Sequence, residues 1–415
     1  MHKLILNRII ILFSFCLLLI SCSNNDPVPT IEENVVLRSQ EEVNTFGQRG
    51  YERIGGNLII ESQNNTDPIT DLSPLRSLRG IDLDLRITKN TSLISTDGLS
   101  GLINIDGAID ISDNDLLINI DGLRGVVYIS SLRVFNNQSL KNLDGLSSLQ
   151  SVDSRVFIGS NDNLESISGL SNLTNLYTTL HLNNNPSLTS LDGLQGLIEL
   201  SHLNIRGNDS LVDLTGLNNL IRVNEELIIA ENDDITSFQG LESLSSASFI
   251  VITKNESLTS IAQLNQLTAV TSLSINNNAS LSTLNGLDNI QTVEFDLTIF
   301  DLPSLENLNA LDGIWTIGVQ LNISNLPKIQ NLDGLENAIT IEEIIATDNE
   351  SLASLYGLHN LKTANALRFS ENPALSDFCD VTDLIKSEAF TGEFVTRDNA
   401  FNPTKEDIIS GNCSN

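Results

Sequence analysis

The 415-residue chain is poor in basic residues, histidine and cysteine. It has 22 Lys+Arg against 53 Asp+Glu, which gives a formal net charge of −31. A surface this acidic repels phosphate backbones and anionic lipid headgroups, so the composition excludes nucleic acid as a partner. Partners that are cationic or neutral are favoured instead.

Long apolar runs are also scarce, and the one at the N terminus is too short to span a bilayer. Lys3 and Arg8 precede an apolar run over residues 9–20, and Ser21 and Cys22 follow it. This order of basic, apolar and small residues is typical of a secretory signal peptide. The stretch Leu19-Ile20-Ser21-Cys22 resembles a bacterial lipobox, and the resemblance implies cleavage after residue 21 and lipidation of Cys22. An ordinary signal with a chance cysteine is the alternative.

The polar residues after Cys22 bear on the destination of the chain. Ser23, Asn24, Asn25 and Asp26 resemble the signals that send lipoproteins to the outer membrane and often to the cell surface. Acyl chains on Cys22 would supply the membrane affinity through buried methylenes. The sequence therefore predicts an exported, lipid-anchored protein at the outer membrane or cell surface.

The four cysteines agree with export. Cys16 leaves with the signal and Cys22 is the lipidation site, which leaves Cys379 and Cys413 as an even pair. In an oxidising compartment we expect a disulfide between them that closes the C-terminal end, and two free thiols are the alternative.

Catalytic signatures are absent from the sequence. No G-x-S-x-G, Cys-x-x-Cys, H-E-x-x-H or phosphate-loop motif occurs. His181 and His202 are predicted to project from neighbouring repeats, but Asn204 and Glu226 are poor third ligands for zinc. We therefore predict no enzyme activity, no catalytic residue, no metal and no cofactor.

An internal repeat dominates the rest of the chain. A leucine, usually after glycine, recurs every 23 or 24 residues, and so does an asparagine. The leucines are Leu75, Leu99, Leu123, Leu146, Leu170, Leu194, Leu217, Leu241, Leu264, Leu287, Leu311, Leu335 and Leu358. The asparagines are Asn90, Asn114, Asn137, Asn161, Asn185, Asn208, Asn232, Asn255, Asn278, Asn349 and Asn372. This periodicity predicts a solenoid of about 13–14 coils.

The two periods inside each repeat predict the path of one coil. Alternation such as Leu180-His181-Leu182 indicates a short strand with its middle side chain outward. Apolar residues every third position then favour a 3₁₀ or extended path, and the strands of successive coils stack as a parallel sheet. An inward asparagine at the corner would satisfy buried backbone groups. At Leu302 and Leu326, which replace it, the corner is expected to bend differently or to use water.

The repeat L-x-I-x-x-N-x-x-L-x-x-L resembles leucine-rich repeats, with one more residue after the asparagine than the common form. The frequent D-G-L and the phrase from Ile54 to Ile60 make it more similar to the receptor L-domain. That resemblance implies a right-handed parallel β-helix that binds ligands. Bacterial surface lipoproteins with long arrays of such repeats are also similar. It specifies the fold and not the ligand.

The repeat sets the domain boundaries. We assign residues 1–21 to a signal peptide and 22–35 to the lipidated N terminus and a flexible spacer. Residues 36–378 form the β-solenoid with its N-terminal cap, and residues 379–415 form a disulfide-closed C-terminal cap.

The outward side chains of the strands supply the candidate ligand face. Phe135 is predicted beside Phe157, and Phe249 and Val251 beside Ile228. Each group would form an exposed apolar patch, and such patches mark partner surfaces. The alternative is that aromatic and β-branched residues simply suit an exposed sheet face.

We therefore interpret the chain as a surface protein that presents a rigid solenoid face to a protein or glycan ligand. One alternative is a polysaccharide-cleaving β-helix enzyme, which needs paired carboxylates on the outer face. The outward carboxylates show no clear pair in sequence; they are Asp84, Asp110, Glu226, Asp296 and Glu343. A passive coat or stalk protein is a further alternative, and calcium between corner loops such as 161–163 or 232–234 is left open.

Overall fold

The computed structural model describes residues 28–63, 66–387 and 390–415. The predicted signal peptide, Cys16, the lipidation site Cys22 and the start of the spacer lie outside the described residues. None of the helices in the described part of the chain is long and apolar enough to cross a membrane.

One parallel sheet runs the length of the molecule, and the predicted solenoid is confirmed. It has more coils than the predicted 13–14, because a strand outside the regular spacing is added at either end. Within the described residues the sheet has sixteen strands, one from each coil, and each pairs with the strand of the next coil. The strands are Val35–Leu37, Leu58–Glu61, Leu85–Thr88, Ile109–Ser112, Leu132–Phe135, Arg155–Gly159, Thr179–Asn183, Glu199–Arg206, Arg222–Ala230, Ser246–Thr253, Ser272–Asn276, Asp296–Phe300, Thr316–Ser324, Thr340–Thr347, Ala366–Ser370 and Glu393–Arg397.

A two-residue strand precedes the main strand in many coils, and the two merge where the main strand is long. The merged strands have register shifts, for example between Leu200 and His202. The short strands are Thr30–Ile31, Arg53–Ile54, Gly80–Ile81, Asn104–Ile105, Tyr128–Ile129, Ser151–Val152, Ala269–Val270 and Thr292–Val293.

The period of three leads to tight turns, as predicted. Short 3₁₀ helices occur at Ser73–Leu75, Asp97–Leu99, Asp121–Leu123, Asp144–Leu146, Ser168–Leu170, Ala262–Leu264, Asn309–Leu311 and Cys379–Val381. Leu188, Leu191, Leu194, Leu197 and Leu200 all have 0% exposure, because each third side chain returns to the interior. Fully burying such a leucine contributes about 1.5–3 kcal/mol, and every coil repeats the contribution.

The asparagines form a continuous hydrogen-bonded column inside the corner. The backbone N–H and the side-chain Nδ2 of Asn208 donate to Oδ1 of Asn232, over 3.1 and 3.3 Å. The same Nδ2 donates to the carbonyl oxygen of Leu182 in the preceding coil, over 2.8 Å. All eleven asparagines of the repeat are fully buried. This satisfies backbone groups that the corner would otherwise leave unpaired.

The corner keeps its shape where leucine replaces asparagine, so the expectation of a different bend at Leu302 and Leu326 is wrong. The residues before them, Asp301 and Asn325, have φ of 53° and 50°, within the left-handed region used at the other corners. The N–H of Leu326 donates to Oδ1 of Asn349 over 3.0 Å. The leucine side chains are themselves buried, and they interrupt the column without altering the backbone.

The solenoid begins earlier than the predicted boundary at residue 36. Thr30–Ile31 pairs with Arg53–Ile54, and Val35–Leu37 pairs with the next strand of the main sheet. The part of the predicted spacer from residue 30 onward therefore belongs to the fold. A helix at Gln40–Gly47 covers this end; Ser39 caps it, and the rings of Phe46 and Tyr51 lie 5.4 Å apart.

The C-terminal cap adds one further coil. Glu393–Arg397 continues the main sheet beside Ala366–Ser370. Cys379 and Cys413 form a disulfide across 34 residues of sequence. Two helices complete the cap, Thr382–Lys386 and Lys405–Ser410, and the second has a capping box at Thr404.

Candidate ligand-binding face

The outward face of the main sheet brings the predicted aromatic pair together. The ring centroids of Phe135 and Phe157 lie 5.8 Å apart, and His181 lies 6.0 Å from Phe157 on its other side. The guanidinium carbon of Arg133 lies 4.5 Å from the centroid of Phe135. Three rings, in tilted and edge-to-face contact, and one cation therefore form a contiguous group over three adjacent coils.

A glycine makes the aromatic contact possible. Phe135 and Phe157 are not direct partners in the sheet, because Phe135 lies opposite Gly159 and Phe157 lies opposite Arg133. A Cβ atom on Gly159 would approach the Phe157 ring to 3.1 Å. The ring of Phe157 therefore lies over Gly159 and reaches the ring of Phe135.

The second predicted group is also contiguous. Ile228 and Val251 are direct neighbours in the sheet, and Phe249 lies two residues before Val251 on the same strand. Phe249 is 42% exposed, and Ile228 and Val251 are half-buried. Neighbouring strands lie about 4.8 Å apart, so these side chains form one apolar patch.

One row of side chains connects the two groups. Phe157 lies opposite His181, His181 opposite Asn204, and Asn204 opposite Ile228. The row thus changes from aromatic to polar to aliphatic over five coils. A ligand lying along the solenoid axis would contact all three kinds of side chain.

A shallow cavity of about 340 Å³ opens beside this row. Its lining includes Arg155, Phe157, His181, His202 and Glu226. Burial, followed by the neighbouring His202 and Arg155, lowers the pKa of His181, while Glu226 acts in the opposite direction. His181 therefore favours the neutral form, which can both donate and accept a hydrogen bond.

Unpaired polar atoms concentrate beside the cavity. In the described residues six buried side-chain polar atoms have no hydrogen-bond partner, and four belong to Thr178, Asn183, His202 and Asn204. These four residues lie on or next to the two adjacent strands Thr179–Asn183 and Glu199–Arg206. An unpaired buried group costs about 1–3 kcal/mol, so these two strands contain polar groups whose hydrogen bonding is unsatisfied in the free chain.

The outward carboxylates are mostly engaged with arginines. Asp84 bonds to Arg86 over 2.7 Å, Asp110 bonds to Arg133 over 3.1 Å, and Glu343 pairs with Arg368. Among the described residues no three His, Cys, Asp or Glu side chains come together as a metal site. For His202, Nε2 lies 3.0 Å from the carboxylate of Glu225, a residue that the sequence reasoning did not single out.

The corner loops form a larger and more acidic concavity of about 690 Å³. Asp162, Asp209 and Asp233 line it together with Glu231 and Lys254. Burial, then Asp233, Asp234 and Glu231, raises the pKa of Asp209. The Arg206 hydrogen bond holds the pKa of Glu231 below its usual range, with Lys254 acting in the same direction. In this region the carboxylate of Glu231 is paired with Arg206 and Lys254, whereas that of Asp209 is surrounded by other carboxylates. The region has no fixed arrangement of metal ligands.

Comparisons with known proteins add little beyond the fold. No protein-family model matches the chain, and a search of the curated proteins gives no match. Among solved structures, a leucine-rich-repeat protein of Leptospira interrogans matches with a TM-score of 0.36 and 16% identity, over 84% of this chain and 92% of that chain. The TLR13 chain of a TLR13–ssRNA13 complex matches with a TM-score of 0.36 and 15% identity, over 83% of this chain and 58% of that chain.

These likenesses are too low to carry an argument about function. The coils themselves define the class: a solenoid with one parallel strand, one asparagine corner and one leucine turn per coil, similar to leucine-rich-repeat proteins. In such a solenoid a uniform core leaves the outer face free to vary.

Proposed function

We propose that the chain is an exported, lipid-anchored protein of the outer membrane or cell surface that binds a protein or glycan ligand along its outward sheet face and has no catalytic activity. The observation that carries this proposal is the row from Phe157 through His181 and Asn204 to Ile228 and Val251, with the ring of Phe135 in contact with Phe157. Aromatic rings, a few polar groups and an aliphatic patch are the usual constituents of a recognition surface. The receptor L-domain resemblance and its right-handed winding belong to the same proposal.

Other features support the cellular placement. The disulfide between Cys379 and Cys413 fits an oxidising compartment. The sequence around Cys22 resembles a lipobox. Replacing Cys22 with serine should abolish incorporation of labelled fatty acid, and protease shaving of intact cells should release fragments of the wild-type solenoid. Labelling that persists in Cys22→Ser, or complete protection from protease, would contradict the anchor or the surface location respectively.

Ligand binding is tested on glycan arrays and by capture of cell-surface proteins with the purified chain. We expect Phe157→Ser and Phe249→Ser each to weaken binding at least about 10-fold, since hot-spot truncations cost about 1–2 kcal/mol or more. Tyr356→Ser is the matched control, because Tyr356 is 48% exposed but lies outside the main sheet. Circular dichroism checks that all three variants remain folded. Equal binding by wild type and both phenylalanine variants would eliminate this face.

A further inference from the structure

A second surface runs along the solenoid at the end of the leucine turn. In eleven successive coils it consists of the residue after the last buried apolar residue of that turn. Successive members are linked by backbone hydrogen bonds, for example from the N–H of Ser245 to the carbonyl of Ile221 and from Ile339 to Trp315. We call it the edge stripe; its eleven members are Ile103, Val127, Gln150, Thr174, Ile198, Ile221, Ser245, Thr268, Gln291, Trp315 and Ile339.

All eleven members are exposed, and more than half are apolar. Ile103, Val127, Ile198, Ile221, Trp315 and Ile339 are between 39% and 58% exposed, and Trp315 is the single tryptophan of the chain. They come in three pairs of adjacent coils. An array of large apolar side chains left in water along one line is unusual for a surface that contacts only solvent.

The edge stripe also lacks charge in a chain whose net charge is −31. None of its eleven members is charged. Among the eleven residues that directly follow them, only Glu199 and Arg222 are charged, and these two face each other across adjacent coils at 3.7 Å. The surface is therefore a strip of zero net charge. The centre of this surface therefore adds no net charge to a contact with a partner as acidic as this chain.

The order of residues in the stripe is almost the same from either end. Counted inward, the opposed positions are Ile103 with Ile339, Val127 with Trp315, Gln150 with Gln291, Thr174 with Thr268, Ile198 with Ser245, and Ile221 with itself. Apolar residues thus oppose apolar ones at the two outer positions and at the centre, and polar residues of the same type oppose each other at the two positions between. The pair Ile198 with Ser245 is the one departure. A two-fold axis through Ile221 generates this pairing, because an isologous contact places position i of one chain on position j of the other and the reverse.

We propose that two copies of this chain associate side by side and antiparallel through the edge stripe, with the two-fold axis at Ile221. Ten steps of about 4.8 Å between coils make the stripe about 48 Å long. A strip of that length reaches the area of an ordinary specific interface, about 800 Å² per copy, when the contact is about 17 Å wide. Arg79 and Lys362, one coil beyond either end, are both basic and exposed, so the apolar part of the contact ends there.

Analytical ultracentrifugation of the full chain tests the association. We expect a species of twice the mass of the single chain that dissociates on dilution. The dimer should tighten as NaCl rises from roughly 20 to 500 mM, because salt screens the repulsion between two acidic chains. A wild-type chain that stays monomeric up to about 100 μM in high salt, well above the micromolar range of weak specific complexes, would overturn the proposal.

One substitution at the two-fold axis tests whether the dimer forms through the edge stripe and not through another surface. Ile221→Glu places two carboxylates against each other and should weaken the dimer at least about 100-fold, since like charges at an interface cost several kcal/mol. Ile94→Glu is the matched control, because Ile94 is 53% exposed and lies outside the stripe. Circular dichroism confirms that both variants fold. An Ile221→Glu chain that dimerises as well as the wild type would overturn the proposal.

The orientation is tested by disulfide cross-linking of chains in which Cys16 and Cys22 are replaced by serine. Mixed Val127→Cys and Trp315→Cys chains should cross-link to each other, and neither should cross-link to itself. Cross-linking of Val127→Cys to its own kind would show a parallel arrangement and overturn the antiparallel one.

Discussion

At the residue scale, the asparagine found in most coils forms hydrogen bonds with three partners, which include both backbone and side-chain groups. Asn161 accepts from the N–H of Asn137 and donates to the carbonyl of Val134 and to Oδ1 of Asn185. Each amide in the column both donates and accepts, so neighbouring hydrogen bonds polarise one another. The column therefore links coils to each other as directly as the sheet does.

The sequence predicts this column because a polar residue recurs with the period of the coil at a corner that needs hydrogen bonds. It does not predict how the column ends. Asn399 accepts from Asn372 across 27 residues, and Asn402 accepts from Asn399 across 3 residues. Ser62 takes the corresponding place at the other end and donates to Asn90. Periodicity cannot identify these three residues, because they lie outside the regular spacing or differ in type.

We predict that Asn208→Leu lowers the free energy of unfolding by about 2–4 kcal/mol, because it leaves the carbonyl of Leu182 and the N–H of Asn185 without partners. The chain should still fold, since Leu302 and Leu326 occupy equivalent positions. Asn219→Leu is the control, since Asn219 is exposed and donates one bond to Gln195. Urea denaturation measures both. Similar small losses in the two variants would contradict the role of the column.

A second prediction concerns pH. The folded state lowers the pKa of His181, so the unfolded chain binds this proton more readily. The corresponding stability is present above the ordinary histidine pKa of about 6.5 and is lost as the pH falls below it. Thermal unfolding at pH 7 and pH 5 should show a larger drop for the wild type than for His181→Gln. Equal drops would show that the neutral state of His181 does not contribute.

At the element scale, the leucine turns stack closely because a glycine occupies a tight position in several of them. Gly145 lies in the 3₁₀ helix Asp144–Leu146, and a Cβ atom there would overlap the carbonyl oxygen of Ile120 in the preceding coil. The glycine of the D-G-L motif therefore allows the turns of adjacent coils to pack closely. The sequence shows the motif, but only the stacked coils show which atom the glycine avoids.

Gly145→Ala should consequently destabilise the fold by about 2–3 kcal/mol, as overpacking against backbone does. Gly80→Ala is the matched control, because the nearest atom to its Cβ would be 3.9 Å away, an ordinary contact. We expect the control to change stability by less than about 0.5 kcal/mol. Comparison of urea midpoints measures the difference, and equal midpoints would exclude this packing explanation.

The C-terminal cap combines the disulfide with an aromatic cluster. Phe378 lies within 6.3 Å of the rings of both Phe394 and Phe401. The sequence predicts the cysteine pair by counting, but it does not predict the strand Glu393–Arg397, which lacks the Leu-x-Ile pattern of the earlier coils. The register shifts in the long strands are likewise set by how two strands merge, which the periodicity does not encode.

Replacing both Cys379 and Cys413 with serine should lower stability by about 3–4 kcal/mol for a loop of this length. The effect should be local, because each coil contacts only its neighbours. Native-state hydrogen exchange should accelerate in Glu393–Arg397 and stay unchanged in Leu58–Glu61, which serves as the internal control. Acceleration throughout the chain would contradict the local character of the cap.

At the scale of the whole molecule, every coil packs on its neighbours in the same way, so one complete coil can be removed without changing how the others pack. Deleting residues 255–277 removes one complete coil and joins Lys254, which has φ of 55°, directly to Asn278. We expect this chain to fold with the same circular dichroism per residue as the wild type. Deleting residues 255–266 removes half a coil, places the leucines of one coil against the corner of the next, and should abolish cooperative unfolding. If the two deletion chains unfold alike, the stability of the solenoid is not a sum of contributions from complete coils.

The candidate face follows from the sequence only in outline. Alternation within the strands identifies Phe135, Phe157, Ile228, Phe249 and Val251 as outward, and the structure brings them together in two groups. The role of Gly159 and the unpaired groups on Asn183 and Asn204 depend on register and rotamers across coils. The edge stripe was not predicted, because it becomes visible only when one position is read across eleven coils at once.

The backbone contacts between coils also bear on how the chain acquires its structure. Partners across the sheet lie 23 or 24 residues apart in most coils, so the relative contact order is about 0.06, a value usual for helical bundles and low for a chain made of strands. No coil needs a segment that is distant in the sequence to complete its backbone contacts. The molecule can therefore wind up progressively as it emerges from a ribosome, with roughly two dozen residues of newly released chain completing each turn.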